Sequence, residues 1–190
     1  MKIDWNYLLD QAKKAAREAG VFIREKSKEE ILVETKEAGS SYATQVVTAV
    51  DKAAEKIILK HLGPTCSQYD LALLSEEDPD DGQRFEKDYF WCIDPMDGTL
   101  AFIEKRPDFA VSIALVSRAG EAVLGVVYDP SRDILYYALS GQGAFKDDRP
   151  WKIGPAQKHL TYVTDHPLEK AVGSEKIKEI IDQKAREQRC

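Results

Sequence analysis

Between Leu71 and Leu139 the chain repeats one pattern, short apolar or β-rich runs separated by turns. The runs are Leu71–Leu74, Phe90–Ile93, Phe109–Val116, Ala122–Tyr128 and Ile134–Leu139. Ala119-Gly120 and the Asp129-Pro130-Ser131-Arg132-Asp133 stretch are tight turns between consecutive runs. Connections that short join only antiparallel neighbours, so this region reads as an antiparallel meander. Two helices precede it. Asp4 is placed to cap the first, whose apolar face is Trp5, Leu8, Leu9, Ala12, Ala15, Ala16, Ala19, Phe22 and Ile23. Gly39-Ser40-Ser41 marks a loop. A second helix is expected to start at Thr48, with Ala54, Ile57, Ile58 and His61 along one stripe, and to stop at Gly63-Pro64. Helices followed by a run of strands specify an α+β layered architecture.

After Pro150 the character changes. Leu160–Thr164 reads as a strand and Ser174–Gln188 as a charged amphipathic helix, together resembling the opening of a second unit. The expected division is residues 1–155 as an N-terminal α+β lobe and 156–190 as the start of an incomplete C-terminal αβ lobe.

Charge narrows the chemistry. The 190 residues hold 27 Lys plus Arg and 33 Asp plus Glu, a net charge of −6. Such a chain gains nothing from bulk attraction to a nucleic acid polymer or an anionic membrane, and neither is expected as a partner. Any phosphate it binds must meet local positive charge, from a cation or a helix N-terminus. Cys66, Cys92 and Cys190 are odd in number and lack metal-ligand spacing. The N-terminus lacks the apolar block of a signal peptide, and no apolar stretch is long enough to span a bilayer, so a cytoplasmic location is expected. His61, His159 and His166 are scattered and form no triad.

The segment Trp91-Cys92-Ile93-Asp94-Pro95-Met96-Asp97-Gly98-Thr99 carries the strongest chemical signal. In a straight strand, residues three apart face opposite ways. A turn after Asp94, helped by Pro95, would let Asp94 and Asp97 converge on one point. Two hard carboxylates and a carbonyl such as that of Met96 suit Mg²⁺. Gly98 would let a ligand approach the backbone, and the N–H groups of Gly98 and Thr99 could face a phosphate. A bare Asp-Gly-Thr would be only a turn with Asp97 as N-cap. The complete motif on a buried strand favours the metal site. Haloacid-dehalogenase phosphatases place a nucleophilic Asp two positions before the second Asp; here Pro95 stands there.

Two further segments supply carboxylates. Leu74-Ser75-Glu76-Glu77-Asp78-Pro79 sets three acids side by side, either as a solvated loop with a Ser75 cap or as a cation site through Glu76. In Val46-Val47-Thr48-Ala49-Val50-Asp51, Thr48 and Asp51 fit a capping box, which by itself makes Asp51 structural.

Taken together, these segments resemble the inositol monophosphatase superfamily of Mg²⁺-dependent phosphatases, over most of residues 1–151. Ser-Glu-Glu-Asp-Pro, Asp-Pro-x-Asp-Gly-Thr and Phe-Ala-Val-Ser-Ile-Ala-Leu-Val are similar to its 3'(2'),5'-bisphosphate nucleotidase branch. Gly125-Val126-Val127-Tyr128-Asp129-Pro130 and Gly141-Gln142-Gly143-Ala144-Phe145 also look like family segments.

The resemblance implies a layered helix/antiparallel-sheet sandwich. It implies an enzyme that hydrolyses a small phosphorylated metabolite by direct attack of water, without a phosphoenzyme. Glu76, Asp94 and the Met96 carbonyl would hold one Mg²⁺, for which Mn²⁺ could substitute, and Asp94 and Asp97 would share a second. Glu76, Thr99 and Asp51 form the implied catalytic set, with Thr99 paired to Asp51 and acting on the water. Glu76, Met96, Asp97, Gly98 and Thr99 would line the substrate, with the Gly98 and Thr99 amides on its phosphate.

The sequence departs from the family twice. Leu100 stands where the nucleotidase branch often has Lys and inositol phosphatases often have Thr. The Trp-Asp segment that completes the second metal site is not found after Thr164. The substrate therefore stays open among a 3'-phosphoadenosine 5'-phosphate-like nucleotide, an inositol phosphate and a sugar phosphate. The alternative reading is a truncated, weak or inactive lobe that binds metal and phosphate. An exposed strand edge and Cys190 would favour self-association as a homodimer.

Overall fold

The Asp4 side chain accepts the Tyr7 N–H at 3.0 Å, which sets the start of the first helix, α1, at Trp5–Ser27. The computed structural model describes residues 3–29 and 42–152. The face of α1 expected from periodicity is the buried one: Leu8, Leu9, Ala12, Ala15, Ala16, Ala19 and Ile23 all lie in the core. Small residues on that face let the helix sit close to the sheet. At Gly20 even a Cβ would run into the ring of Tyr128.

The second helix, α2, differs from expectation at both ends. It spans Tyr42–Tyr69, so Thr48 lies inside it and does not mark its start. Gly63-Pro64 does not end it either; Pro64 sits within the helix. A proline there removes one helical N–H and crowds the preceding turn, at a cost of roughly 3 kcal/mol. Tertiary bonding next door offsets this. The Thr65 hydroxyl, fully buried, donates to the Leu62 carbonyl at 2.6 Å and accepts the Trp91 indole N–H at 2.9 Å. His61 is not on an apolar stripe but pairs with Glu18 of α1 at 2.7 Å.

The strands are β1 (Ala72–Ser75), β2 (Tyr89–Asp97), β3 (Ala110–Ser117), β4 (Ala122–Asp129), β5 (Ile134–Leu139), β6 (Gly143–Lys146) and β7 (Arg149–Trp151). A short helix, α3 (Thr99–Ile103), separates β2 from β3. The seven strands form one sheet in chain order. From β2 to β7 every pairing is antiparallel, as the tight turns after β3 and β4 require of the strands they join. β1 is the exception and pairs parallel with β2. The β6–β7 hairpin was absent from the strand reading because Gly143–Trp151 has no apolar run.

One face of the sheet carries Trp91, Ile93, Val111, Ile113, Leu115, Leu124, Val126 and Leu135 into a single core with α1 and α2. α1 lies over β3, β4 and β5, and α2 over β1 and β2. This is the expected α+β layering of helices on a sheet. No helix among the described residues is long and apolar enough to cross a membrane. The 155/156 boundary, the strand at 160–164, the helix at 174–188, the loop at 39–41 and Cys190 lie outside the described residues.

Candidate active site

Parallel pairing of β1 and β2 puts their C-terminal ends side by side. Ser75 registers with Ile93, and the Glu76 N–H donates to the Ile93 carbonyl at 3.1 Å. Glu76 therefore lies next to Asp94, close enough for its charge to raise the Asp94 carboxyl. No helix starts at Ser75, which excludes the capping alternative; its hydroxyl is buried without a partner.

Asp97 reaches the same place through a bulge. Asp94 registers with Ser112 and Asp97 with Ala110, so three steps on β2 oppose two on β3. The extra residue reverses the parity of the strand, returning Asp97 to the face of Asp94. Pro95, lacking an N–H, is well suited to the interrupted ladder. The bulge thus puts both side chains on one face from within the strand, where the sequence suggested a turn. The Asp94 carboxylate also accepts the Met96 N–H at 3.1 Å, and the Met96 carbonyl accepts the Thr99 hydroxyl at 3.2 Å.

Gly98 precedes α3 with φ +93°, in the left-handed region. A Cβ there would collide with the Asp108 carbonyl oxygen, so the close approach that demands glycine is made by the chain's own backbone. Asp97 does not cap α3; Gly98 holds that position with no side-chain cap. Leu100, at the start of α3, is 62% exposed.

α2 brings Asp51 to this cluster. Its Oδ1 is buried with no hydrogen-bond partner, and no Thr99–Asp51 hydrogen bond is present, the Thr99 hydroxyl being turned to Met96. Burial, then the charges of Glu77, Asp94 and Glu76, push the Asp51 carboxyl from an ordinary 3.8 to about 7. Burial, then the Glu76 charge and hydrogen bond and the Asp97 charge, raise Asp94 to about 7 as well.

Sequence reasoning passed over two members of the cluster. Glu55 lies one helical turn beyond Asp51 and is 5% exposed, with Oε1 unpartnered. Burial first and Glu55 second raise the Glu77 carboxyl. The signal was available. Asp51 and Glu55 are spaced i, i+4 on the stripe of Val50, Ala54 and Ile58, where an unpaired acid has no structural reason to sit.

Orphaned oxygens and carboxylates raised by one another are what a hard cation relieves, so the donor set fits Mg²⁺. Among the described residues, no three Asp, Glu, His or Cys side chains converge closely enough to ligate one ion as they stand.

A profile of the inositol monophosphatase family matches residues 4–188. The inositol-1-monophosphatase of Bacillus subtilis (strain 168) is 34% identical over 155 residues, 82% of this chain and 55% of that protein. The Nus factor SuhB of Escherichia coli (strain K12) is 39% identical over 137 residues, 72% of this chain and 49% of that protein. The crystal structure of inositol monophosphatase-II from Staphylococcus aureus MSSA476 matches with a TM-score of 0.72 at 28% identity, covering 92% of this chain and 64% of that one. The chain belongs to the inositol monophosphatase family. It spans about half the length of the curated relatives it matches.

Proposed function

We propose that this chain supplies the cation-binding and water-activating residues of a Mg²⁺-dependent phosphomonoesterase acting on a small phosphorylated metabolite. The observation that carries the reading is the buried, unpartnered Asp51 oxygen, in a carboxyl raised by burial and by the charges of Glu77, Asp94 and Glu76. Glu76, Asp94, Asp97 and the Met96 carbonyl are the residues to hold Mg²⁺, with Mn²⁺ a substitute. A cation held by these residues would supply Lewis acidity toward water and the phosphoryl oxygens.

The chain's own groups do the rest. Asp51, whose carboxyl is raised by burial and by the neighbouring acids, is the group to accept the proton of the attacking water. The Thr99 hydroxyl sits at the start of α3 and orients the attacking water once it leaves the Met96 carbonyl. The backbone N–H groups of Gly98 and Thr99 hold the phosphate. Leu100, exposed and apolar beside them, offers no charge to a second phosphate and no hydroxyl to a polyol. The substrate classes therefore remain a bisphosphate nucleotide, an inositol phosphate or a sugar phosphate.

The test pairs binding with turnover. Calorimetric titration of Mg²⁺ into wild type and Asp94→Asn should show affinity falling at least about tenfold in the variant, as expected for loss of a ligating charge. Phosphate release from the three substrate classes should require the metal and stop with EDTA. Equal Mg²⁺ binding by the two proteins removes Asp94 from the site.

A further inference from the structure

The acidic chain holds a recess lined by cations. A cavity of about 210 Å³ is lined by Arg24 and Ser27 of α1, by Lys105, Arg106, Pro107 and Phe109 after α3, and by Ser131 of the β4–β5 turn. We infer that this recess is a binding site for a phosphate-class oxyanion, separate from the carboxylate cluster.

The recess is assembled from three parts of the chain and is held in shape. The Arg106 N–H bonds the Ala101 carbonyl at 2.8 Å, and the Lys105 N–H bonds Phe102 at 3.1 Å. The Arg106 guanidinium is clamped between Glu104 at 2.7 Å and Asp108 at 3.0 Å. On the far side, Arg132 donates to the Pro107 carbonyl at 3.3 Å. Because two carboxylates offset Arg106, the attraction rests on the other two cations.

Arg24 is half-buried and Lys105 exposed, and neither is paired with a carboxylate among the described residues. The acids in the last turn of α1 and just beyond it are engaged elsewhere, Glu25 with Lys28 and Glu29 with Lys26, each at 2.8 Å. Ser27 donates its hydroxyl to the Arg24 carbonyl at 2.9 Å, so that proton is committed. The Arg24 guanidinium and the Lys105 ammonium supply the donors, and Ser131 can add its hydroxyl. A planar fork and a point charge across a small recess suit a tetrahedral oxyanion, and the space is too small for a nucleotide.

The test uses the full chain in EDTA. Sodium phosphate is titrated calorimetrically against sodium chloride of equal ionic strength, and saturable binding specific to phosphate is expected. Arg24→Gln and Lys105→Gln should each weaken it about tenfold. Arg24→Lys, which keeps the charge, should recover part of the loss and exclude simple misfolding. Asp94→Asn should leave binding intact, so the result stands whether or not the proposed phosphatase reading holds. Glycerol 2-phosphate is the second arm. Tighter binding than phosphate marks a phosphomonoester as the ligand, and equal or weaker binding marks free phosphate. Phosphate that binds no better than chloride, or equally well to wild type and to the Arg24→Gln/Lys105→Gln double variant, overturns the assignment.

Discussion

Among the described residues the Thr99 hydroxyl bonds one group, the Met96 carbonyl. It donates at 3.2 Å, a long bond that can be exchanged for a water. Met96 is itself fixed, because its N–H is held by Asp94 at 3.1 Å. A hydroxyl that acts on the attacking water matters mainly in the transition state, so its loss should appear in turnover. Thr99→Ala is expected to lower kcat by roughly 10²-fold or more, the scale of a general acid–base contribution, with little change in KM. Steady-state phosphate release decides it. A normal kcat with a raised KM would make Thr99 a phosphate contact and leave the water to Asp51 alone.

The elements differ in how plainly their sequences declare them. The buried face of α1 and the first five strands follow from periodicity, since burial against one core is what the periodicity encodes. Asp94 and Asp97 were legible as a pair, but the bulge that unites them was not, because register shifts depend on the partner strand. The parallel β1–β2 pairing that seats Glu76 was hidden for the same reason. α2 misleads most: Gly63-Pro64 reads as a stop, yet the helix runs to Tyr69. Its continuation rests on contacts with β2, above all the Thr65 hydroxyl between the Leu62 carbonyl and the Trp91 indole. Thr65→Val keeps the volume and deletes both bonds, leaving a fully buried indole N–H unsatisfied. A loss of about 1–3 kcal/mol is expected from urea denaturation. An unchanged midpoint would show that the last turns of α2 are held by packing alone.

For the whole molecule, one group of carboxylates opposes the others. Glu18 and Asp148, near the surface, are lowered by hydrogen bonds, first from His61 and from Lys13 respectively. They favour the folded state once the pH is above the ordinary carboxylate range, and that contribution is lost only as the pH falls through and below it. The buried group behaves in the opposite sense. Asp51 and Asp94 titrate at about 7 in the fold and near 3.8 when unfolded, so between those values the native state holds more protons than the unfolded chain. Stability must then fall as pH rises from about 4 through 7. In EDTA, the melting temperature is expected to be higher at pH 5 than at pH 8. Mg²⁺ should raise it most at pH 8, where the cluster is ionised and the cation binds the folded chain in preference to the unfolded one. Asp51→Asn, which cannot ionise, should flatten the pH dependence in EDTA. Calorimetric melts of both proteins at the two pH values, with and without Mg²⁺, make the comparison. A wild-type melting temperature that is flat or rises from pH 5 to pH 8 in EDTA would mean that the carboxylates at the ends of β1 and β2 are solvated, and that no cation is needed to hold them together.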